Sequence, residues 1–383
     1  MNVSRRSLIF GLSYALDIAG KNNLSHSKST AYLSVSIGRE LGFNESKMTE
    51  LYYAALLHDI ALSNSYDMLQ HCIDGERLVR NLPLPEGIAE SIHYHHELYD
   101  GSGEFGLSGE SIPKGAHIIC FASAFDDIFG KMFDKFDRSL FLQAHDWLEA
   151  NKPLYSEDIK NAFDNLMKRE SFLLDYFNNE TRYTLLNKFV IDDDTCYGYD
   201  DVLKYAYCFA GIIDCKSPFT SNHSHGIAEL ARKAVTCLGY SDEIQNEMYI
   251  AGLLHDIGKL HVPVDILHKN DKLTPEERFE INKHTYYTRK ILEQIDGFEK
   301  IVNYAANHHE KLDGTGYPYR IPDSQLSELE KIMAVCDVYQ ALTEERPYRE
   351  NLPPEKVWGI IDDMSEKRHL DKFLVQKIKQ FFN

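Results

Sequence analysis

The chain contains itself twice, and that repeat narrows its possible folds more than any other feature. Ala55-Leu56-Leu57-His58-Asp59-Ile60 returns as Gly252-Leu253-Leu254-His255-Asp256-Ile257, 197 residues on. His26 and His223 keep that spacing, as do Asp17 and Asp214. Further along the spacing becomes 213: His71 matches His284, His95-His96-Glu97 matches His308-His309-Glu310, and Asp100-Gly101-Ser102-Gly103 matches Asp313-Gly314-Thr315-Gly316. One insertion of 16 residues, between Lys259 and Glu280 of the second copy, reconciles the two spacings. Chance does not keep so many polar landmarks in step, so the chain is two copies of one folded module.

The module reads as helical. Ser224–Leu238, Asp242–Leu254, Pro275–Leu292 and Leu329–Thr343 carry apolar residues at i, i+3, i+4 and i+7. Strand-like alternation is nearly absent, and the turn signals, such as Asp313-Gly314-Thr315-Gly316-Tyr317-Pro318, fall between helices. The expected fold class is all-α, with two tandem helical domains. The charged stretch from Arg169 to Asp194 suggests a connecting helix and a short linker. The expected layout is therefore a first domain over 1–180, a linker over 181–195 and a second domain over 196–383.

Composition excludes some functions. The formal net charge of −18 argues against binding long nucleic acid, which needs a basic face. Seven cysteines, an odd number with no CxxC, fit a reducing cytoplasm. Ser4-Arg5-Arg6-Ser7-Leu8-Ile9-Phe10 faintly resembles a twin-arginine signal, but Asp17 interrupts the apolar stretch behind it, and it is read as a structural helix. No run reaches the roughly 18 apolar residues of a membrane span.

The second copy carries the chemistry. Its candidate metal ligands are His223, His255, Asp256, His284, His308, His309 and Asp337, in the order H…HD…H…HH…D. A lone buried histidine is more often a core residue than a ligand, but this ordered set is far more specific. Imidazole with carboxylate favours Fe, Mn, Zn, Ni or Co over Ca. An adjacent His-Asp on a helix offers one terminal ligand and one carboxylate able to bridge two ions. Lys259, three residues after Asp256, is expected on the same helix face. His308 and His309 can serve neighbouring ions, because successive helical residues point about 100° apart. Two metals suit phosphodiester hydrolysis: they clamp the phosphate and neutralise charge on the leaving oxygen.

From about Tyr197 onward the chain resembles the HD-GYP family, a branch of the HD phosphohydrolase superfamily. The matching strings are Gly252-Leu253-Leu254-His255-Asp256-Ile257-Gly258-Lys259, His308-His309-Glu310-Lys311-Leu312-Asp313-Gly314-Thr315-Gly316-Tyr317-Pro318, Ala334-Val335-Cys336-Asp337-Val338-Tyr339-Gln340-Ala341-Leu342-Thr343 and Arg346-Pro347-Tyr348-Arg349. The resemblance implies a five-helix core and the metal ligands already named. It implies that Asp256 bridges the metals and that Lys259 contacts the phosphate or helps protonate the leaving oxygen. It adds substrate contacts from Lys259, Asp313, Tyr317, Arg346, Tyr348 and Arg349, arginine being apt because its planar fork matches phosphate oxygens. The implied substrate is a cyclic dinucleotide, cyclic di-GMP ahead of 3′,3′-cGAMP, opened to a linear dinucleotide or on to mononucleotides. A non-catalytic cyclic-dinucleotide receptor and an HD phosphohydrolase acting on another nucleotide are the alternatives. Expected partners are the cyclic dinucleotide and either a second copy or a protein of the diguanylate-cyclase type, with neither long nucleic acid nor membrane.

Two departures from the family pattern matter. Where some members place a glutamate four residues before the first ligand histidine, this chain has Phe219, so two divalent transition metals are expected rather than three. The strip after Tyr317-Pro318 reads Tyr319-Arg320-Ile321-Pro322, altered from the family's usual form. The first copy keeps His26, His58, Asp59, His71, His95 and His96 as a vestigial metal site. It has Ser123 where the second copy has Asp337, Leu62 where it has Lys259, and no Arg-Pro-Tyr-Arg string. Asp126 would have to shift to replace the missing ligand, since it lies three residues beyond Ser123. The first copy is expected to regulate rather than to cleave.

Overall fold

The computed structural model describes residues 1–20, 25–61, 67–130, 138–189, 195–216, 223–269, 271–344 and 352–382. Helices dominate. The described strands are β1 (Val3–Ser4) and β2 (Cys196–Tyr197), an antiparallel pair with Val3 opposite Tyr197. After α1 (Arg5–Ala19) the first copy builds α2 (His26–Glu40), α3 (Glu45–Leu57), α4 (Met68–Arg80), α5 (Glu86–His93) and α6 (Lys114–Phe129). It continues through α7 (Arg138–Ala150), α8 (Glu157–Met167), α9 (Glu170–Phe177) and α10 (Asn179–Phe189). The second copy builds α11 (Tyr199–Lys216), α12 (His223–Cys237), α13 (Asp242–Leu254), α14 (Val264–Leu267), α15 (Pro275–Leu292), α16 (Glu299–Ala306), α17 (Glu328–Thr343), α18 (Pro354–Glu366) and α19 (Lys372–Lys379).

The duplication is visible as packing. In the first copy α2 packs on α3 and α6, and α5 packs on α3, α4 and α6. In the second, α12 packs on α13 and α17, and α16 packs on α13, α15 and α17. Each copy thus closes five helices around its own core, with α2, α3, α4, α5 and α6 corresponding to α12, α13, α15, α16 and α17. The inner faces are apolar and fully buried: Leu33, Leu56, Ile92 and Ile118 in one core, Ile227, Leu253, Ala305 and Ile332 in the other. The 16-residue insertion becomes α14 and the extra leading turns of α15. Thr274 caps α15 through a reciprocal capping box with Glu277, so the longer helix has a built start.

The chain divides into two compact units, Leu12–Thr195 and Met1–Gly11 with Cys196–Asn383. The first eleven residues therefore belong with the second copy, unlike the expected 1–180 boundary. The physical reason is non-local: β1 finds its hydrogen-bonding partner in β2, and Gly11 lies so close to Ile295 that a Cβ would come within 2.6 Å of its side chain. The expected linker also begins inside α10. Leu8, Ile9 and Phe10 of the twin-arginine-like stretch are buried helical residues. No helix among the described residues is long and apolar enough to cross a membrane.

Candidate metal centre

His223 is the first residue of α12, and His255 caps the C-terminus of α13 with Asp256 next in the chain. His284 sits inside α15, His308 and His309 lie in the turn after α16, and Asp337 lies on α17. Two expectations change here. His255 and Lys259 do not share a helix: α13 stops at Leu254, and Lys259 stands in a 3-10 turn over Ile257–His261. Residues three apart eclipse in that tighter turn, so Lys259 still reaches Asp256 and pairs with its Oδ2. His308 and His309 follow the helix rather than lying inside it, and both fall in one donor group with His284 instead of serving neighbouring ions. The turn is held against α15 by Gly258, where a Cβ would overlap the carbonyl oxygen of His284.

Asp256 is the centre of the arrangement. Its Oδ2 faces His255 Nε2 at 3.2 Å and His223 Nε2 at 3.7 Å, and its Oδ1 faces His284 Nε2 at 3.4 Å. His223, His255 and Asp256 form one cluster of donors, and His284, His308 and His309 form another. Asp337 closes the rim, 3.9 Å from His255 Nε2 and 3.7 Å from His309 Nδ1.

The rings are locked with bare nitrogens inward. Nδ1 of His255, His284 and His308 donates to the carbonyls of Gly252, Ile281 and Ala305 at 2.8, 2.7 and 2.6 Å. A carbonyl only accepts, so the proton is on Nδ1 and each Nε2 presents a lone pair. His284 Nε2 and His308 Nε2 nevertheless stand 3.3 Å apart, and buried His255 Nε2 has no hydrogen-bond partner. Facing lone pairs need a cation between them, so the donor set fits a metal. Burial is the largest influence on His284, His308 and His309. It holds all three below the usual imidazole value, His284 down to about 3 and His308 to about 4. Burial opposes charge on Asp256, but His255, Lys259 and His284 outweigh it and hold the carboxyl well below the usual range.

Tyr317 belongs beside this centre: its ring lies 4.9 Å from that of His309 and 6.4 Å from that of His284. Asp313 lies in the turn before Tyr317, tied into that turn. Its Oδ1 accepts from the Thr315 amide and hydroxyl, and its Oδ2 lies 3.6 Å from His369. Arg346, Tyr348, Arg349 and Phe219 lie outside the described residues, as does Leu62.

Sequence reasoning missed two groups. Glu344 accepts from His223 Nδ1 at 2.8 Å. Its signal was present, because Glu344 follows Asp337 by two helical turns and so shares its face. Buried Glu310 takes the backbone N–H of Tyr319 on one oxygen and of Ile321 on the other, at 2.8 and 2.9 Å. Glu97 does the same for Phe105 and Leu107 at 2.6 Å each. The altered strip after Pro318 therefore keeps the anchoring seen in the first copy.

The first copy repeats the geometry around Asp59. Its Oδ2 faces His58 Nε2 at 3.5 Å and His26 Nε2 at 3.7 Å, and its Oδ1 faces His71 Nε2 at 3.4 Å and His95 Nε2 at 4.0 Å. Asp126 does not replace the missing ligand. It accepts from His26 on Nδ1, the outer nitrogen, at 2.8 Å, and from the Tyr176 hydroxyl at 2.5 Å. The turn it occupies carries it behind the ring, to the place Glu344 takes in the second copy.

A family model described as an HD domain matches residues 208–374, and another with that description matches residues 23–127. The chain belongs to the HD family, with two HD domains in tandem, the second of the HD-GYP type. Over 382 residues this tandem HD protein is 28% identical to 3′3′-cGAMP-specific phosphodiesterase 1 of Vibrio cholerae serotype O1, covering 94% of this chain and 88% of that one. It is 30% identical over 312 residues to phosphodiesterase 3 of the same specificity and organism, covering 79% and 66%. A cyclic di-GMP phosphodiesterase of Pseudomonas aeruginosa is 36% identical over 151 residues, covering 39% and 36%. A solved cyclic GMP-AMP specific phosphodiesterase of V. cholerae superposes with a TM-score of 0.77 at 22% identity, over 100% of this chain and 98% of that one, so the whole tandem HD fold is shared.

Proposed function

We propose that the second HD domain is the catalytic centre of a metal-dependent phosphodiesterase that hydrolyses a 3′,3′-cyclic dinucleotide to a linear dinucleotide or to mononucleotides. One observation carries the reading: both oxygens of one buried carboxylate, Asp256, face inward-pointing imidazole nitrogens. That arrangement suits two divalent transition metals, with Fe, Mn, Ni, Co and Zn all compatible with imidazole and carboxylate donors. Two such ions supply Lewis-acid charge to a phosphoryl group and its leaving oxygen. Asp256, His223, His255 and Asp337 would hold one, and Asp256, His284, His308 and His309 the other.

The remaining roles belong to the chain. Lys259 keeps an ammonium beside Asp256, where it can donate to a phosphate oxygen or protonate the departing 3′ oxygen. Glu344 fixes the ring of His223, and Tyr317 gives the site an aromatic wall. Arg346, Tyr348 and Arg349 enter only through the family resemblance, as a grip on substrate phosphate. The relatives that match most of the chain favour 3′,3′-cGAMP, whereas the cyclic di-GMP enzyme of P. aeruginosa matches a shorter stretch. This moves the weight of the substrate reading from cyclic di-GMP to cGAMP. The first HD domain, with Ser123 in place of a carboxylate ligand, serves regulation rather than cleavage.

The test is anaerobic purification with metal analysis, then chromatography of the products from 3′,3′-cGAMP and cyclic di-GMP. Metal near two ions in the second domain and faster turnover of cGAMP are expected, both lost in Asp256→Ala. Tight nucleotide binding without turnover in Mn²⁺ or Fe²⁺ would replace this reading with a receptor.

A further inference from the structure

The two donor pockets of the first HD domain are not equally worn. In the pocket on Asp59 Oδ2, the residue facing His26 Nε2 is Ser123, its hydroxyl 3.4 Å away, where the second copy offers Asp337. His26 Nε2 also lies 3.2 Å from His58 Nε2. The Nδ1 of His58 donates to the Ala55 carbonyl at 2.8 Å, so this contact is a hydrogen bond running from His26 to His58, and it uses up the inward lone pair of His58. The outer nitrogen of His26 is taken by Asp126. The pocket has lost a carboxylate and has closed on itself.

The pocket on Asp59 Oδ1 has lost nothing. His71, His95 and His96 group within metal-binding reach of one another. His71 and His95 are fully buried, and Nε2 of His71, His95 and His96 has no hydrogen-bond partner. The Nδ1 of His95 donates to the Ile92 carbonyl at 2.6 Å, which leaves its Nε2 bare and aimed at Asp59. Three unsatisfied imidazole nitrogens against one carboxylate oxygen would be costly to bury without a cation.

We infer that the first HD domain binds a single divalent transition metal ion through His71, His95, His96 and Asp59 Oδ1, and that its other pocket stays metal-free. Four protein ligands suffice for a tetrahedral shell. With Ser123 in place of a carboxylate and Leu62 in place of a lysine, the first copy lacks the groups that would make such an ion cleave, so the site suits structure or sensing. The inference does not rest on the phosphodiesterase reading, since it concerns metal in a domain that lacks the cleaving residues.

The experiment uses the full chain carrying Asp256→Ala and His308→Ala, which disable the metal centre of the second domain. The chain is loaded with Co²⁺, freed of excess by gel filtration and measured by elemental analysis and by the visible absorption of the bound ion. One Co²⁺ per chain is expected, with tetrahedral-type absorption. Adding His95→Ala should remove it, and adding His26→Ala should leave it in place. Because loss of a fully buried imidazole can unfold a domain, His96→Asn, at a half-buried position, is measured in parallel and should weaken Co²⁺ retention at least tenfold with the helical circular dichroism unchanged. No retained Co²⁺, two retained ions, or equal loss with His26→Ala and His95→Ala would each overturn the proposal.

Discussion

His223 meets a carboxylate on each ring nitrogen, Glu344 outside at 2.8 Å and Asp256 inside at 3.7 Å. The outer partner fixes the tautomer and the ring plane, and such partners typically change metal affinity tenfold to a hundredfold. Glu344→Ala should therefore weaken metal binding by about that factor in chelator competition, and Glu344→Gln, which keeps an acceptor oxygen, should recover most of it. Glu310 is a second case. Its two oxygens hold the backbone that follows Tyr317-Pro318, and hydrogen bonds to a charged group contribute about 1.5–3 kcal/mol each. Glu310→Gln keeps one of them, so a loss of roughly 1–3 kcal/mol is expected in urea unfolding. Asp17 shows the opposite balance. Burial raises its carboxyl to about 6, although its Oδ1 accepts the Ser27 amide at the start of α2. The folded state therefore holds this proton more tightly than the unfolded one, where the carboxyl has its ordinary value near 3.8. The stabilisation is complete below about pH 4 and is lost as pH rises through about 6. Asp17→Asn should flatten the dependence of Tm on pH across that window relative to the parent chain.

At the scale of elements, the site depends on where helices stop. α13 ends at Leu254, and that ending turns Asp256 and Lys259 toward α15. Gly258 permits the approach, since any side chain there would meet the backbone of His284. Gly258→Ala should force α15 outward, pulling His284 from its pocket. The expected result is loss of bound metal, read by elemental analysis, with a destabilisation of about 1–3 kcal/mol or more from overpacking. Four helices of the second copy were legible from their apolar periodicity, and the candidate ligand histidines from their order and spacing. Glu344 and Asp126 were harder to read. They perform one task from places four residues apart in the aligned copies, because α17 and α6 present different turns to the first candidate ligand histidine. A matched position in a repeat does not reveal a function that has moved along a helix.

For the whole molecule, metal binding and folding are linked. An ion that binds only the folded state adds about 4 kcal/mol when its free concentration is a thousand times its Kd. Chelation of the metal-loaded chain should lower its Tm, and Co²⁺ or Mn²⁺ should restore it. The Asp256→Ala, His308→Ala chain should keep only the part of that response that belongs to the first domain.

The sequence by itself determined the duplication, the helical class, the candidate ligand histidines and the wearing of the first copy. All of these follow from residue identity and spacing along the chain, which local periodicity and an internal comparison expose. Only the tertiary structure decided that Met1–Gly11 belongs with the second copy, that Asp313 serves its own turn, and that Asp126 stands behind His26 rather than inside the pocket. Each depends on which groups meet across distant stretches of chain, and on which of two nitrogens or oxygens a partner reaches. The repeat that defines the chain was therefore legible as a pattern, while the unequal fate of its two pockets around Asp59 became visible only as distances.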